Sequence, residues 1–187
     1  MRLKDGWSID TSMGMSSQSG LLNSKRVGNL DPFGLLYLIE KESLSIDNTR
    51  NLLMSKSGIY GISGKSGDFR DIEEGMNKGD DQDEKAFKTF AYYVKRYIGE
   101  YLAVLNGTDL IAFTAGAGEN SPALRREIIG DFNNLGIFLD EDKNLENPTE
   151  GLISTSDSKI KIAVIPTNEK LIVAEEVENY IHENFEK

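Results

Sequence analysis

DLIAFTAGAGENSPALRR, residues Asp109–Arg126, is the stretch whose reading decides the fold. Its first part, Asp109 to Thr114, is a short apolar run, long enough for a buried strand and too short for a helix. The next, Ala115 to Gly118 (AGAG), is expected to hold neither element, because glycine opens positive φ and lets a ligand approach the backbone. Asn120-Ser121-Pro122 then starts a helix, with Asn or Ser at the N-cap, Pro at the first helical position, and Arg125 and Arg126 further along. Strand, glycine turn and helix N-terminus together are one way to build a nucleotide site. Free N–H groups and the helix dipole face the mouth of the turn, and small residues let a flat ring or a phosphate come close. The same pattern also describes a merely tight turn of an α/β protein, so both readings stand until the flanking sequence is taken in.

Downstream, the helix from Pro122 runs to Leu135 and ends at Gly136, leading to a short strand, Ile137–Asp140. Asp140 to Gly151 is a polar, acidic loop, and Ser154 to Lys159 a turn. Ile160–Ile165 (IKIAVI) is a second buried-type strand, and Pro166-Thr167-Asn168-Glu169 turns at its carboxyl end into a final helix, Glu169–Phe185. Upstream, Phe87, Phe90, Ala91, Val94, Tyr97, Ile98, Tyr101, Leu102 and Leu105 recur at spacings of three and four. That is a long amphipathic helix over Glu84–Leu105, stopped by Asn106-Gly107, with its aromatics read as core. The order is β–α–β–α, and the polar turns AGAGENS and PTNE both follow apolar strands. Ligands of open α/β sheets bind outside such strand ends, which favours the nucleotide reading.

Further toward the N-terminus, Trp7–Met15 reads as a short strand entering a turn, and Ser16–Ser24 as a Ser/Gly/Gln-rich loop. Lys25-Arg26 precede a glycine turn. They read either as a solvated loop or as an anion site, since arginine presents a planar fork of donors. Helices are expected from Pro32 or Phe33 to Glu42 and from Ile46 to Ser55. Ser57–Gly67 (SGIYGISGKSG) is too rich in glycine for a regular element and too apolar at Ile59, Tyr60 and Ile62 for a loose linker. Asp68-Phe69-Arg70 follows at a helix start, where the plain reading is an N-cap Asp, a core Phe and a surface Arg.

At 187 residues the chain is one large domain or a small pair. A net charge of −10 argues against nucleic acid and against an anionic membrane surface as partners. With no cysteine there is no disulfide, thiolate metal site or cysteine nucleophile, which fits a cytoplasmic setting. MRLKDGWSID has no apolar stretch of the signal-peptide kind, and no run is long enough to span a bilayer.

DTSMG (Asp10–Gly14), KRVGNLDP (Lys25–Pro32), YGISGKSGDFRD (Tyr60–Asp71), VKRYIGEY (Val94–Tyr101), FTAGAGENS (Phe113–Ser121), LGIFLD (Leu135–Asp140) and IPTNE (Ile165–Glu169) occur together in this order. With them the chain resembles the C-terminal portion of the acetate kinases, the acetokinase family. The resemblance runs from about Ser8 to the last helix. It implies an α/β fold, the ribonuclease-H-like domain of the actin, sugar-kinase and Hsp70-like ATPase superfamily. It also implies a nucleotide-binding and dimerisation domain over residues 1–187, with the N-terminal domain absent from the chain. ATP or ADP and acetate or another short carboxylate are the implied substrates, with Mg²⁺ and a homodimer. Arg26 matches the family's phosphoryl-neutralising arginine, Asp68, Phe69 and Arg70 its adenosine contacts, and Gly116, Ala117, Gly118, Glu119 and Asn120 the turn on adenine and ribose. Glu169 matches the glutamate that helps hold Mg²⁺.

The departures lie around Arg26. Ser24-Lys25 replace the family's Gly-Thr, Val27 its Ser or Cys, and Asn29 its Asp. Ser16–Gly20 replaces a TPLEG-type stretch, Ala117 a bulkier aliphatic, and Lys170 a second Glu. The family's catalytic aspartate, substrate arginine, catalytic histidines and phosphate loop have no counterpart, and His182, the one histidine, lies in the terminal helix. The expectation is therefore the C-terminal part of an acetate kinase, a fragment or a split or truncated gene product, with negligible turnover by itself. The alternative is a non-catalytic nucleotide-binding or dimerisation module.

Overall fold

The computed structural model describes residues 2–4, 6–146 and 148–185, and only the backbone of Arg2, Glu169, Ile172, Glu183 and Phe185. β1 (Arg2–Lys4) and β2 (Trp7–Asp10) form an antiparallel hairpin. A loop leads to α1 (Pro32–Lys41), capped by the Asp31 carboxylate at the Phe33 N–H, and to α2 (Ile46–Ser55), capped by Ser45. α3 (Gly58–Ser63) and α4 (Phe69–Asn77) precede α5 (Asp81–Leu105), which starts at the Asp80 cap and stops at Asn106 in the left-handed region. β3 (Leu110–Phe113), α6 (Ala115–Asn120) and α7 (Pro122–Ile129) follow, the last continuing as a 3-10 turn to Leu135. α8 (Glu141–Leu145), β4 (Gly151–Leu152), β5 (Lys161–Val164) and α9 (Glu169–Phe185) complete the chain.

The second sheet has the order β3-β5-β4. β5 lies between β3, with which it is parallel, and β4, with which it is antiparallel. The parallel register pairs Phe113 with Val164, so the turns after β3 and β5 leave the sheet at the same end. Ile162, Val164, Leu124, Ile128, Ile129 and Ile137 are buried together, joined by Ala86, Phe87 and Ala91 of α5 and Ile72 of α4. Each such aliphatic side chain contributes about 1.5–3 kcal/mol of transfer free energy. That apolar seam sets the position of α5 and α7 against the sheet.

The expected β–α–β–α order is observed, with strand and helix ends shifted by a residue or a few. Four expectations are corrected. AGAG is not free of regular structure. Ala115–Asn120 closes into a short helix, bent where Gly116 takes φ 17° and ψ −108°, with Ala115 at φ 57°. Its termini are held by side chains, as shown below, which offsets the poor helix propensity of glycine. The glycine-rich Ser57–Gly67 contains α3. A Cβ on Gly58 would stand 2.1 Å from the Asn23 carbonyl oxygen and 2.6 Å from that of Arg26. The glycine therefore serves close backbone approach rather than looseness. Ile137–Asp140 makes only a single bridge, Leu139 to Ser154, in place of a strand. Within the acidic loop Asp140–Gly151, the Asp140 carboxylate caps a helical turn, α8. β1 and β4, three and two residues long, carry no periodic signal that a sequence reading would register.

Candidate nucleotide site

An open cleft of about 1650 Å³ lies along β3 and α5. Asp68, Phe69 and Arg70 line one side of it, and Gly116, Ala117, Gly118 and Asn120 another. Phe90, Val94 and Ile98 of α5 and Leu110 to Phe113 of β3 supply apolar wall between them. The two segments singled out in the sequence, far apart along the chain, thus face one space.

Asp68 sits where α4 begins. Its carboxylate accepts the Arg70 N–H at 2.9 Å and takes the Arg70 guanidinium through Nε at 3.1 Å and Nη2 at 2.6 Å. The guanidinium and the backbone N–H hold the Asp68 carboxyl down to about 2. Phe69 packs on Phe87 and Phe90, with ring centroids 5.3 and 5.2 Å away. Arg70 is exposed. The plain reading of DFR as cap, core and surface is what the geometry shows, and the same three residues line the cleft.

The opposite wall is the α6 turn. A Cβ built on Gly116 meets nothing within 4 Å, so the space over this residue is open. A Cβ on Gly118 would touch the Phe113 backbone at 3.6 Å, an ordinary contact. Glu119 does not line the cleft. Its Oε1 accepts the Ala115 N–H at 2.5 Å, the Thr167 N–H at 2.9 Å and the Thr167 hydroxyl at 2.6 Å. These donors, the Thr167 hydroxyl foremost, lower the Glu119 pKa. One carboxylate thereby joins the turn after β3 to the turn after β5.

Arg26 belongs to a loop fastened by backbone hydrogen bonds. The carbonyls of Asn23, Ser24 and Lys25 accept the N–H groups of Ile59, Tyr60 and Ser57 at 2.9, 2.9 and 3.1 Å. The half-buried Arg26 side chain donates through Nη1 to the Ser17 carbonyl at 3.0 Å and is not among the residues lining the cleft, whereas Ser24 and Lys25 are. The Lys25 ammonium lies 5.7 Å from the centre of the Tyr60 ring. Glu169 opens α9, two residues beyond Thr167. Its side chain lies outside the described residues. Among the described residues no cluster of three or more acidic or histidine side chains is arranged to hold a metal ion.

Sequence reasoning undervalued three groups here. Thr167 bridges to Glu119 through its hydroxyl and N–H. Ser121 caps α7 by accepting the Leu124 N–H at 3.0 Å and donates to Glu73 at 2.5 Å. Arg125 is wholly buried, hydrogen-bonded to carbonyls of the α6 turn. Its signal was available: an arginine directly beside Leu124 and three and four residues before Ile128 and Ile129 stands at the border of the apolar stripe of its helix.

The model of the acetokinase family matches residues 1–175. An acetate kinase of Acetivibrio thermocellus is 49% identical over 174 residues, covering 93% of this chain and 44% of the relative. One of Carboxydothermus hydrogenoformans is 51% identical over 174 residues, with the same shares. Among solved structures, Porphyromonas gingivalis acetate kinase superposes with a TM-score of 0.89 at 35% identity, over 95% of this chain and 45% of that one. A propionate kinase from Francisella tularensis gives 0.87 at 36%, over 93% and 44%. The α/β fold is the one those kinases share, and the chain spans less than half the length of the curated relatives it matches.

Proposed function

The chain belongs to the acetokinase family, and on that premise we propose that it carries the adenosine-binding part of an acetate kinase. In the proposed reaction a carboxylate oxygen of acetate forms a bond to the terminal phosphorus of ATP. The bond from that phosphorus to the bridging oxygen breaks, and ADP and acetyl phosphate result. Residues 1–187 are then the nucleotide-binding and dimerisation domain, and an N-terminal half supplies the acyl pocket. The carrying observation is the meeting of Asp68-Phe69-Arg70 and Gly116–Asn120 in one cleft, with open space above Gly116.

Within this reading the apolar wall and the α6 turn take adenine and ribose. Donor and acceptor are both anionic, and a fixed cation between them lowers the barrier most where charge is shared in the transition state. Arg26 is assigned that role, for which its guanidinium has to leave the Ser17 carbonyl. Mg²⁺, when bound, offsets phosphate charge. Glu169, at the start of α9, would supply a carboxylate contact to it. A second copy of the chain is assigned to α1, none of whose residues is buried although Phe33, Leu36 and Tyr37 are apolar. A cytoplasmic setting suits a cysteine-free acidic chain, and among the described residues no helix is long and apolar enough to cross a membrane.

The alternative, a nucleotide-binding module without turnover, is supported by Arg26 lying on Ser17 and by the altered residues around it. Calorimetric titration of ADP into the chain tests the shared part. Gly116→Ala places a methyl group in the open space, and ADP affinity is expected to fall by about tenfold or more while the fold persists. An unchanged affinity in a folded variant removes the adenosine assignment. Acetyl phosphate formation after addition of an N-terminal half, lost in Arg26→Ala, favours the kinase over the module.

A further inference from the structure

Burying a guanidinium is costly, and a helix face already filled by Leu124, Ile128 and Ile129 has no packing need for one. Arg125 is nevertheless fully buried in α7, and so is Asn144 of α8 beside it. Arg125 Nη1 donates to the carbonyls of Gly118 and Glu119, each at 2.9 Å. Nε donates to Asn144 Oδ1 at 2.8 Å and Nη2 to the Asn144 carbonyl at 3.3 Å. The Asn144 amide in turn donates to the Pro122 carbonyl at 3.0 Å, which fixes the direction in which its oxygen meets the guanidinium.

The recipients identify the purpose. Gly118 and Glu119 are near the carboxyl end of α6, whose last carbonyls have no helical partner once Ser121 turns extended. A six-residue helix bent at Gly116 is far too short to persist alone. Glu119 ties its front to Ala115 and Thr167, and a cation at its carboxyl end completes the hold. The same segment carries the open space over Gly116. We infer that Arg125, oriented by Asn144, is a positioning residue: it holds the Gly116–Asn120 backbone in the shape that receives the nucleotide. This rests on the nucleotide reading proposed above.

The test uses the full chain, with ADP as probe. Arg125→Met keeps length and removes every donor. Arg125→Lys keeps the charge without the fork, and Asn144→Ala removes only the orienting group. Ile128→Val, a buried change on the same helix, is the stability control. Three quantities are read: ADP affinity, melting temperature, and amide exchange over residues 115–120 without ligand. Arg125→Met is expected to weaken ADP by at least about tenfold and to speed exchange over 115–120 at least as much, with α5 amides unaffected. Arg125→Lys falls between parent and Met, and Asn144→Ala shifts both readouts the same way by less. Asn144→Ala carries the test if Arg125→Met does not fold. Unchanged affinity and exchange in a folded variant overturn the inference, as do changes no larger than those of Ile128→Val at equal loss of melting temperature. A parent chain that binds no ADP overturns the nucleotide reading. Exchange over 115–120 then decides whether Arg125 holds the turn, and unchanged protection rejects that as well.

Discussion

Gly75 lies inside α4, where replacement by alanine ordinarily stabilises a protein by about 0.5–1 kcal/mol. Here the sign is expected to reverse. A Cβ on Gly75 would stand 1.6 Å from Asp83 Oδ2, 2.6 Å from its Cγ and 3.2 Å from its Cβ. Asp83 is fully buried near the start of α5, and its Oδ2 is 2.7 Å from Lys65 Nζ. So short a side chain has no free end to swing aside, so either the carboxylate leaves Lys65 or α4 moves off α5. Overpacking a close contact costs about 1–3 kcal/mol. Breaking a buried pair costs about 3–5 kcal/mol, but the Lys65 side chain is 49% exposed and regains water, so the lower costs apply. Net of the propensity gain, Gly75→Ala should destabilise by about 0.5–2.5 kcal/mol, or about 1–10 °C in melting temperature for a chain of this size. In an Asp83→Ala background the clash is gone and the same substitution should stabilise, so thermal or urea melts of the four variants form a double-mutant cycle with opposite signs on its two arms. A Gly75→Ala chain as stable as the parent, or an equal loss in both backgrounds, would refute the reasoning.

Three further outcomes are expected. Asp68 has its carboxyl held at about 2 against an ordinary 3.8, so its contribution to stability is full above the ordinary value and is lost as pH falls toward the lower one. The melting-temperature gap between parent and Asp68→Asn should therefore be constant near neutrality and narrow between about pH 4 and 2, and a gap independent of pH counts against the pair. Ser121→Ala removes the α7 cap and strands the Glu73 carboxylate, at a cost of about 1–2 kcal/mol in urea unfolding, and a neutral change would show that the cap does not matter. Leu36→Glu, on the exposed face of α1, should turn a dimer into a monomer in sedimentation without lowering the melting temperature of the monomer. A parent that sediments at 20.8 kDa at micromolar concentration rejects α1 as an interface.

The elements most legible in the sequence were those specified by an uninterrupted period or by an end signal. α5 shows itself through about five turns of threes and fours on one stripe, Phe87 to Leu105, and only its first turn escapes the pattern, because Asp81, Gln82 and Asp83 are polar. The cap at Asp80 and the full burial of Asp83 explain that turn, and both are tertiary facts. α2 and α9 were legible to the residue. What misled was glycine. In AGAG and in Ser57–Gly67 it suggested loop, whereas Gly58 and Gly67 let the loop of Arg26 press on α3, with a Cβ on Gly67 falling 2.7 Å from the Ser24 carbonyl. A glycine admits either a ligand or another stretch of backbone, and one-dimensional pattern does not say which.

The site divides along the same line. That AGAGENS and PTNE belong together follows from two parallel apolar strands of one sheet, since the pairing of Phe113 with Val164 brings their carboxyl ends to one edge. That DFR faces them needs only its place at the start of α4, packed on α5 through Phe69. The braces behind these walls are another matter. Arg125 reaches Gly118 by donating to its backbone carbonyl, and Glu119 joins its own turn by accepting the Ala115 backbone N–H and reaches Thr167 through the backbone N–H as well as the hydroxyl. A backbone acceptor has no identity in the sequence, so a side chain that serves one leaves no partner residue to search for. The one trace is negative: a charged group at the edge of an apolar stripe, where desolvation is expensive unless every donor is used. Arg125 meets that description, and its donors end on the turn whose shape the cleft depends on. The residues that make contact with a ligand are thus the more readable half of such a site, and the residues that hold those contacts in place are found from unexplained burial rather than from motif.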